Sequence, residues 1–239
     1  MTNRTPLLIV VIISMIMTTL LYAVGMFFIS GFVPPPPPEL SQADVVAMYR
    51  DNHTSIVTGL SMGVVGVGFM LPIFIVGSVF LSETEEGIPY FSIMQGLCAL
   101  VTVLFSVFPN FIWLTAAFRV DRAPELILLL HDLGYIMFAT PSWGFAFQLL
   151  CVAVVGLRDK RPQPIMPRWL SYLALWVALG ELCTALVPFY VTSGPFAWDG
   201  LFSFWIAFFS PMLWCMLLSN VIFMNVMNQK ANPVVLSHE

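Results

Sequence analysis

The sequence predicts an all-α fold, a polytopic transmembrane bundle of six spans with both termini in the cytoplasm. Apolar residues make up 59% of the chain and charged residues only 9%, whereas a soluble domain carries roughly a quarter charged residues. Six apolar segments exceed the roughly 20 residues that a helix needs to cross a bilayer. Because they fill most of the chain, we treat residues 1–239 as a single transmembrane domain. The predicted spans are about 7–32, 56–81, 90–118, 125–157, 169–192 and 201–227.

The first predicted span lies close to the N-terminus, which is also the position of a secretory signal peptide. Its apolar run, 7–32, is too long for the apolar region of a signal peptide, and no small-residue cleavage site closes it. We therefore expect this segment to be retained as a span.

Prolines interrupt five of the six predicted spans. Each removes an intrahelical hydrogen bond and bends the helix, and in lipid the freed carbonyl needs a partner from a neighbouring helix or from water. The spans 90–118 and 125–157 are also longer than a crossing requires, so we expect them to tilt, kink or project. The five prolines are Pro72, Pro109, Pro141, Pro188 and Pro211.

The distribution of Lys and Arg predicts the orientation. With the N-terminus inside, more basic residues fall on the inner side than on the outer side, and the positive-inside rule favours that arrangement. The inner set is Arg4, Arg158, Lys160, Arg161, Arg168 and Lys230, and the outer set is Arg50, Arg119 and Arg122. Both termini are therefore expected in the cytoplasm.

The first outer loop, 33–55, is the longest connection and has a predicted structure of its own. Residues 34–38 are all proline and form a stiff spacer that advances about 3 Å per residue. Ser41 and Asp44 then form a capping box for a short amphipathic helix over 42–52. We expect this helix to lie across the outer mouth of the bundle. Binding of a partner by the proline run is the alternative interpretation of the spacer.

Gly59 and Gly63 in the second span have the GxxxG spacing that lets another helix approach closely. Packing inside the bundle and dimerisation both use such a surface. Because a six-helix bundle needs close contacts of its own, we favour internal packing.

Three ionisable side chains lie inside the predicted spans, namely His131, Asp132 and Glu181. A charged group near the bilayer centre costs from about 2.5 kcal/mol upward, so such residues face the protein interior or water. In the six-span topology all three fall in the outer half of the bundle. We therefore predict an outer-half polar pocket, with the ligand-binding residues Asn110, His131, Asp132, Glu181, Tyr190 and Trp198.

Each ionisable residue also has a structural interpretation. Glu181 can stay neutral and donate a hydrogen bond to a carbonyl freed by a proline kink. Asp132 can pair with Arg119 or Arg122. His131 and Asp132 are neighbours on one helix and point about 100° apart, so they need not act together.

Several function classes lack the residues that they require. The chain has no basic run for nucleic acid, and it has no Walker motif. A bis-histidine haem lacks a second ligand, because His53 and His238 lie outside the spans on opposite sides. We therefore predict no metal and no cofactor, and we do not favour an enzyme. The four cysteines lie in separate spans without a CxxC pair, which is typical of small buried residues.

Four short motifs carry a family resemblance. They are Gly31-Phe32-x-Pro-Pro, Tyr49-Arg50-x-Asn52, Arg161-Pro162-Gln163-Pro164 and Gly194-Pro195-Phe196-Ala197-Trp198-Asp199-Gly200. With them, the chain resembles an uncharacterised family of bacterial six-span integral membrane proteins over nearly its whole length. The resemblance implies a bacterial inner-membrane protein and brings no activity or catalytic residues with it.

Two functional hypotheses follow, and a third is weaker. The first is a protein that acts by binding, as an accessory subunit of a membrane complex or as a lipid- or lipophilic-ligand-binding protein. Its partners would be membrane lipids, a membrane protein or a second copy of the chain. The second is a proton-coupled transporter or channel for a small organic solute, with Glu181 or Asp132 carrying the proton. The third is a lipid-modifying enzyme that uses His131 and Asp132.

Overall fold

The computed structural model describes residues 4–139, 142–186 and 192–231. Within these ranges the chain is helical, with connecting loops and no β-strand. π-Helical segments, Thr18–Ala23 and Gly25–Ile29, follow the first helix, and a third, Leu201–Ile206, precedes the last. The α-helices of the described ranges are α1 Thr5–Met17, α2 Gln42–Asp51, α3 His53–Gly68, α4 Met70–Ser82, α5 Tyr90–Phe118, α6 Pro124–Ala139, α7 Trp143–Arg158, α8 Arg168–Leu186 and α9 Ala207–Ala231.

In the described part of the chain, five helical stretches are long and apolar enough to cross a membrane. Each overlaps one of the predicted spans, which supports the all-α membrane protein that composition predicts. The predicted span 169–192 is helical over Arg168–Leu186, and residues 187–191 lie outside the described part of the chain. The five stretches are Thr5–Ile29, His53–Ser82, Tyr90–Phe118, Pro124–Arg158 and Leu201–Asn228.

Helix α5 is central to the bundle, because it packs against α3, α4, α6 and α7. Its bounds coincide with the predicted span 90–118. The predicted span 125–157 corresponds to two helices, α6 and α7, which both pack along α5. Pro109 lies inside α5 and Pro211 inside α9, whereas Pro141 and Pro188 lie outside the described residues.

Glycines allow the first helical stretch to approach α3 at backbone distance. A Cβ atom at Gly59 would lie 2.4 Å from the Ser30 nitrogen and 2.5 Å from the Gly25 carbonyl oxygen. A Cβ atom at Gly66 would lie 2.3 Å from the Tyr22 nitrogen. These distances leave no room for a side chain. The glycine surface is therefore used inside the bundle, as the sequence predicts.

Helix α2 begins with the cap that the sequence predicts. The Ser41 hydroxyl accepts a hydrogen bond from the Asp44 backbone N–H at 3.2 Å and donates one to the Asp44 carboxylate at 2.6 Å. Val45 and Tyr49 on one face of α2 are buried. Because α2 packs against α3, α5 and α6, it covers one end of the bundle, which we call the cap end.

Polar contacts join the segments at the opposite end. Arg4 forms an ion pair with Glu83 at 2.6 Å. The Asp159 carboxylate accepts hydrogen bonds from the Arg161 side chain at 2.8 and 2.6 Å and from the Ile165 N–H at 3.0 Å. Burial raises the pKa of Asp159, but these hydrogen bonds outweigh burial and hold the pKa below its ordinary value. The loop between α7 and α8 is thus organised around one ionised carboxylate.

Candidate functional site

His131 lies in a group of aromatic rings at the cap end. Its side chain is buried, and its ring centroid is 5.0 Å from that of Tyr135 and 5.7 Å from that of Tyr49. Trp113 from α5 lies 4.7 Å from Tyr135, and Trp198 stacks on Tyr135 at 5.3 Å. Several segments distant in sequence therefore meet around one histidine. We call this group the aromatic cluster, and its members are Phe32, Tyr49, Trp113, His131, Tyr135 and Trp198.

Hydrogen bonds connect His131 to both α2 and α5. Its Nδ1 lies 3.2 Å from the Tyr49 hydroxyl, and the Trp113 indole N–H donates to its backbone carbonyl at 3.2 Å. Burial raises the pKa of Tyr49, and the nearby Asp132 charge adds to the effect, so the phenol stays protonated at neutral pH and can donate to Nδ1. Nε2 of His131 is buried without a hydrogen-bond partner among the described residues. His131 thus ties the cap helix to the bundle and keeps one polar atom unpaired.

Asp132 is only partly buried. The predicted pairing with Arg119 or Arg122 is wrong, because the ion pairs among the described residues are Arg4–Glu83 and Arg161–Asp159. Its charge acts on the Tyr49 phenol instead. The pairing failed as a prediction because sequence proximity at a helix end does not fix the direction of a side chain.

Glu181 lies elsewhere in the bundle, on α8, and is 1% exposed. The hydroxyls of Ser142 and Ser210 form hydrogen bonds with its carboxyl group. Beside it is a cavity of about 40 Å³ between α5, α6, α7, α8 and α9, large enough for one or a few water molecules. The residues that line this cavity with Glu181 are Thr102, Phe105, Ser106, Phe138, Ser142, Phe145, Ala207 and Pro211.

Asn110 lies on α5 between these two regions. Its amide Nδ2 donates to the Ser106 carbonyl at 2.9 Å, and Ser106 lines the Glu181 cavity. Three residues further along α5, Trp113 belongs to the aromatic cluster. The Asn110 Oδ1 atom is buried without a hydrogen-bond partner among the described residues. A Cβ atom at Gly63 would lie 3.0 Å from this oxygen, so the small residue on α3 makes room for it.

Trp198 lies at the cap end. Its indole N–H donates to the Pro36 carbonyl at 2.9 Å, which joins the loop before the last helix to the proline run. Tyr190, another of the predicted ligand-binding residues, lies outside the described residues.

The structure therefore divides the predicted pocket residues between two regions. His131 and Trp198 belong to the aromatic cluster, Glu181 belongs to the water-sized cavity, and Asn110 lies between them. Asp132 is not among the residues that line the Glu181 cavity. The sequence predicts one pocket for all of them, because it indicates how deep each residue lies in the membrane but does not indicate which helices are neighbours.

Several polar side chains of the aromatic cluster and of the Glu181 cavity are not among the predicted site residues. Trp113 and Tyr135 follow Asn110 and His131 by three and four residues, so helical spacing predicts that they share a face. Gln95 and Gln148 are fully buried amides inside apolar helices, and that unusual composition is the signal that would have found them. Ser142 and Ser210 carry no comparable signal, because serine is common in membrane helices.

A second, larger concavity opens at the surface near the junction of α2 and α3. Its volume is about 420 Å³, and it combines two basic side chains with several hydroxyls. It contains none of the predicted site residues. Its lining residues are Ile29, Arg50, Asp51, Asn52, His53, Thr54, Ser55 and Thr58.

Fold and site together define an all-α membrane protein with uncharged and ionisable polar groups buried between its helices. Comparison with known proteins adds no assignment, since no protein-family model, curated protein or solved structure matches the chain. The geometry of the site carries the functional argument.

Proposed function

We propose that this chain is a proton-coupled transporter or channel for a small organic solute, in which Glu181 takes up and releases the proton. The observation that carries the proposal is the environment of Glu181. Its carboxyl group is buried among apolar helices, bound by serine hydroxyls from two other elements, and adjacent to a cavity of the size of water. Intramembrane acids in such surroundings are typical of proton relays.

We propose six spans for this protein, with both termini in the cytoplasm of a bacterium and the spans in its inner membrane. The positive-inside count supports the orientation. The ion pair between Arg4 and Glu83 supports an even number of crossings between these two residues. The hydrogen bond from Asn225 to the Ile165 carbonyl supports an even number between that pair as well. In this topology the cap end is the outer side.

Passage of a solute would require the helices to move, because a cavity of about 40 Å³ holds water and no organic solute. Pro211 of α9 lines that cavity, and Pro109 of α5 lies three residues after Ser106. Both prolines lack the backbone N–H that would bridge a helical turn. We therefore propose that α5 and α9 hinge at these two prolines during transport.

Reconstituted liposomes test the proposal. Proton influx is measured with a trapped pH-sensitive dye under a potassium diffusion potential, and pH-gradient-driven uptake is measured with labelled amino acids, organic acids and amines. We expect wild-type flux several-fold above protein-free liposomes, and its loss in Glu181→Gln, which keeps the side-chain shape. Glu86→Gln, at an exposed loop acid, is the matched control. Wild-type protein that moves neither protons nor any solute, or flux unchanged in Glu181→Gln, would overturn the proposal.

A second candidate function is lipid binding, as a lipid-binding protein or an accessory subunit. The concavity between α2 and α3 favours it, because Arg50 and His53 lie beside the hydroxyls of Thr54, Ser55 and Thr58. A guanidinium beside hydroxyls suits a phosphate headgroup, and in the proposed topology the concavity lies at the outer membrane interface.

Native mass spectrometry with added phosphatidylglycerol tests this candidate and reports bound partners or a second copy in the same spectrum. We expect retained lipid in the wild type and several-fold less in Arg50→Gln. Arg119→Gln, an exposed cation in the loop after α5, is the control. Equal retention by both variants would argue against a headgroup site at Arg50.

A further inference from the structure

The buried face of α5 is polar along most of its length. Ser92, Gln95, Thr102, Asn110 and Trp113 are each no more than 7% exposed, and their spacing places them on one side of the helix. From Ser92 to Trp113 the helix rises about 32 Å at 1.5 Å per residue. This distance is close to the roughly 30 Å thickness of the hydrocarbon core of a bilayer. The polar face is therefore long enough to cross the apolar layer.

Unpaired polar atoms occur at intervals beside this face. Gln95 Nε2, Asn110 Oδ1 and His131 Nε2 are buried without hydrogen-bond partners among the described residues. So is Nε2 of Gln148 on α7, whose Oε1 lies 3.4 Å from the Thr102 hydroxyl. Buried polar groups are almost always hydrogen-bonded, and water is the partner that suits small polar spaces. The face thus offers a series of water-binding positions.

Polar groups also stand at the two ends of the face. At the end opposite the cap, the Glu85 carboxylate accepts hydrogen bonds from the Ser92 hydroxyl at 2.5 Å and from its N–H at 2.9 Å. One turn further in, Gln95 accepts a hydrogen bond from the Ser78 hydroxyl. At the cap end, the Tyr49 hydroxyl lies 3.2 Å from His131 Nδ1. Between the two ends lies the Glu181 cavity, to which α5 contributes Thr102 and Ser106.

We infer that the buried polar face of α5 is a hydrated proton path that connects Glu181 to both ends of the bundle. Toward the cap end it runs past Asn110 and His131, and toward the other end it runs past Gln148 and Gln95 to Glu85. The inference rests on the proposed function, since it assigns the route by which Glu181 exchanges its proton.

Proton movement along this path needs no further reactant. A hydronium ion gives its proton to the Glu181 carboxylate and becomes water, and the carboxylic acid later gives that proton to another water on the other side. The amides of Asn110, Gln148 and Gln95 orient water and carry no proton, so they are positioning residues. The described residues that line the cavity include no acid or base other than Glu181.

Hydroxyl-radical footprinting of the full chain in liposomes tests whether the path holds water. X-ray radiolysis of bound water oxidises the side chains beside it, and mass spectrometry reads the sites. We expect Phe105 and Phe145, which line the cavity, to be oxidised several-fold faster than Phe108 and Phe111. The latter two are exposed on the outer surface of the same helix and face lipid in the membrane.

Proton flux through two variants tests whether that water carries protons. Gln148→Leu removes a water-orienting amide, and Thr102→Val removes a hydroxyl with almost no change of shape, so folding is preserved in at least one of them. We expect a loss of flux of about tenfold and slower oxidation of Phe145. Phe147→Leu, on the exposed side of α7, is the control and should change neither.

The outcomes separate the path from the function on which it rests. Flux that depends on Glu181, with cavity rings oxidised no faster than lipid-facing rings, would overturn the path and leave the proposed function standing. The same holds for flux unchanged in both variants. Rapid oxidation without any wild-type flux would overturn the proposed function, and the proton path with it.

Discussion

Replacing Gly59 with alanine tests the close approach of the first helical stretch to α3. The added Cβ atom would lie 2.4 Å from the Ser30 nitrogen and 2.5 Å from the Gly25 oxygen. Both are backbone atoms, so no side-chain rotation relieves the contact. Two helices must therefore separate by about 1 Å to restore ordinary van der Waals distance, and the neighbouring close contact at Gly66 would loosen with them.

The expected free-energy change combines two opposing terms. Overpacking of a tight interface costs about 1–3 kcal/mol, and we expect the upper part of that range because the contacts are with backbone. Alanine gains up to about 1 kcal/mol over glycine in a helix. The net destabilisation is then about 2 kcal/mol, which lowers the melting temperature by roughly 4–8 °C for a chain of this size.

Thermal unfolding in detergent, combined with size-exclusion chromatography, measures both stability and oligomeric state. Gly68→Ala is the matched control on the same helix, since a Cβ atom there meets nothing within 4 Å. We expect Gly68→Ala to keep or raise the melting temperature. Equal melting temperatures for the two variants would refute the reasoning. A loss of dimer at unchanged monomer stability in Gly59→Ala would show that the GxxxG surface serves dimerisation instead.

Two further predictions concern the ends of the bundle. Asp159→Asn removes the charge and one of the two acceptor oxygens that order the loop before α8, and it should destabilise the protein by about 1–3 kcal/mol at pH 7. Because the native pKa of Asp159 is lowered, its contribution is complete above the unfolded pKa of about 3.9 and is lost as the pH falls through the native pKa. The difference in melting temperature between wild type and variant should therefore close below about pH 4, and a difference that persists there would contradict the assignment. Tyr49→Phe removes the hydrogen bond to His131 and should cost about 1 kcal/mol. It should also speed proteolysis within 33–55, whereas Tyr90→Phe, at an exposed phenol, should not; equal cleavage rates would argue against the link between α2 and α6.

Local features of this chain could be predicted well, because their causes are local. The bounds of α5 match the predicted span, since long apolar runs leave few alternatives to a helix. The cap of α2 matches as well, because Ser41 and Asp44 lie within one helical turn and can meet without any help from the rest of the fold. Burial of His131 and Glu181 was also predicted, since charge is costly in lipid.

The candidate site was harder to predict, because it depends on which helices are neighbours. His131 and Glu181 are both predicted in the outer half of the bundle, yet one belongs to the aromatic cluster and the other to a cavity beside α9. The orientation of Asp132 and the serine partners of Glu181 are likewise set by rotation and contact of helices. Hydropathy constrains how deep a residue lies and says little about the direction in which it points.

The sequence by itself determined an all-α membrane protein, the approximate helix bounds, the capped helix α2 and the glycine surface on α3. These follow from hydrophobic length, hydrogen bonding within a turn and the size of a side chain, all of which are properties of short stretches of chain. Only the tertiary structure decided that Gln148 of α7 and Glu181 of α8 lie beside the polar face of α5. Helix packing selected that arrangement, because each buried polar group needs partners that distant parts of the sequence supply.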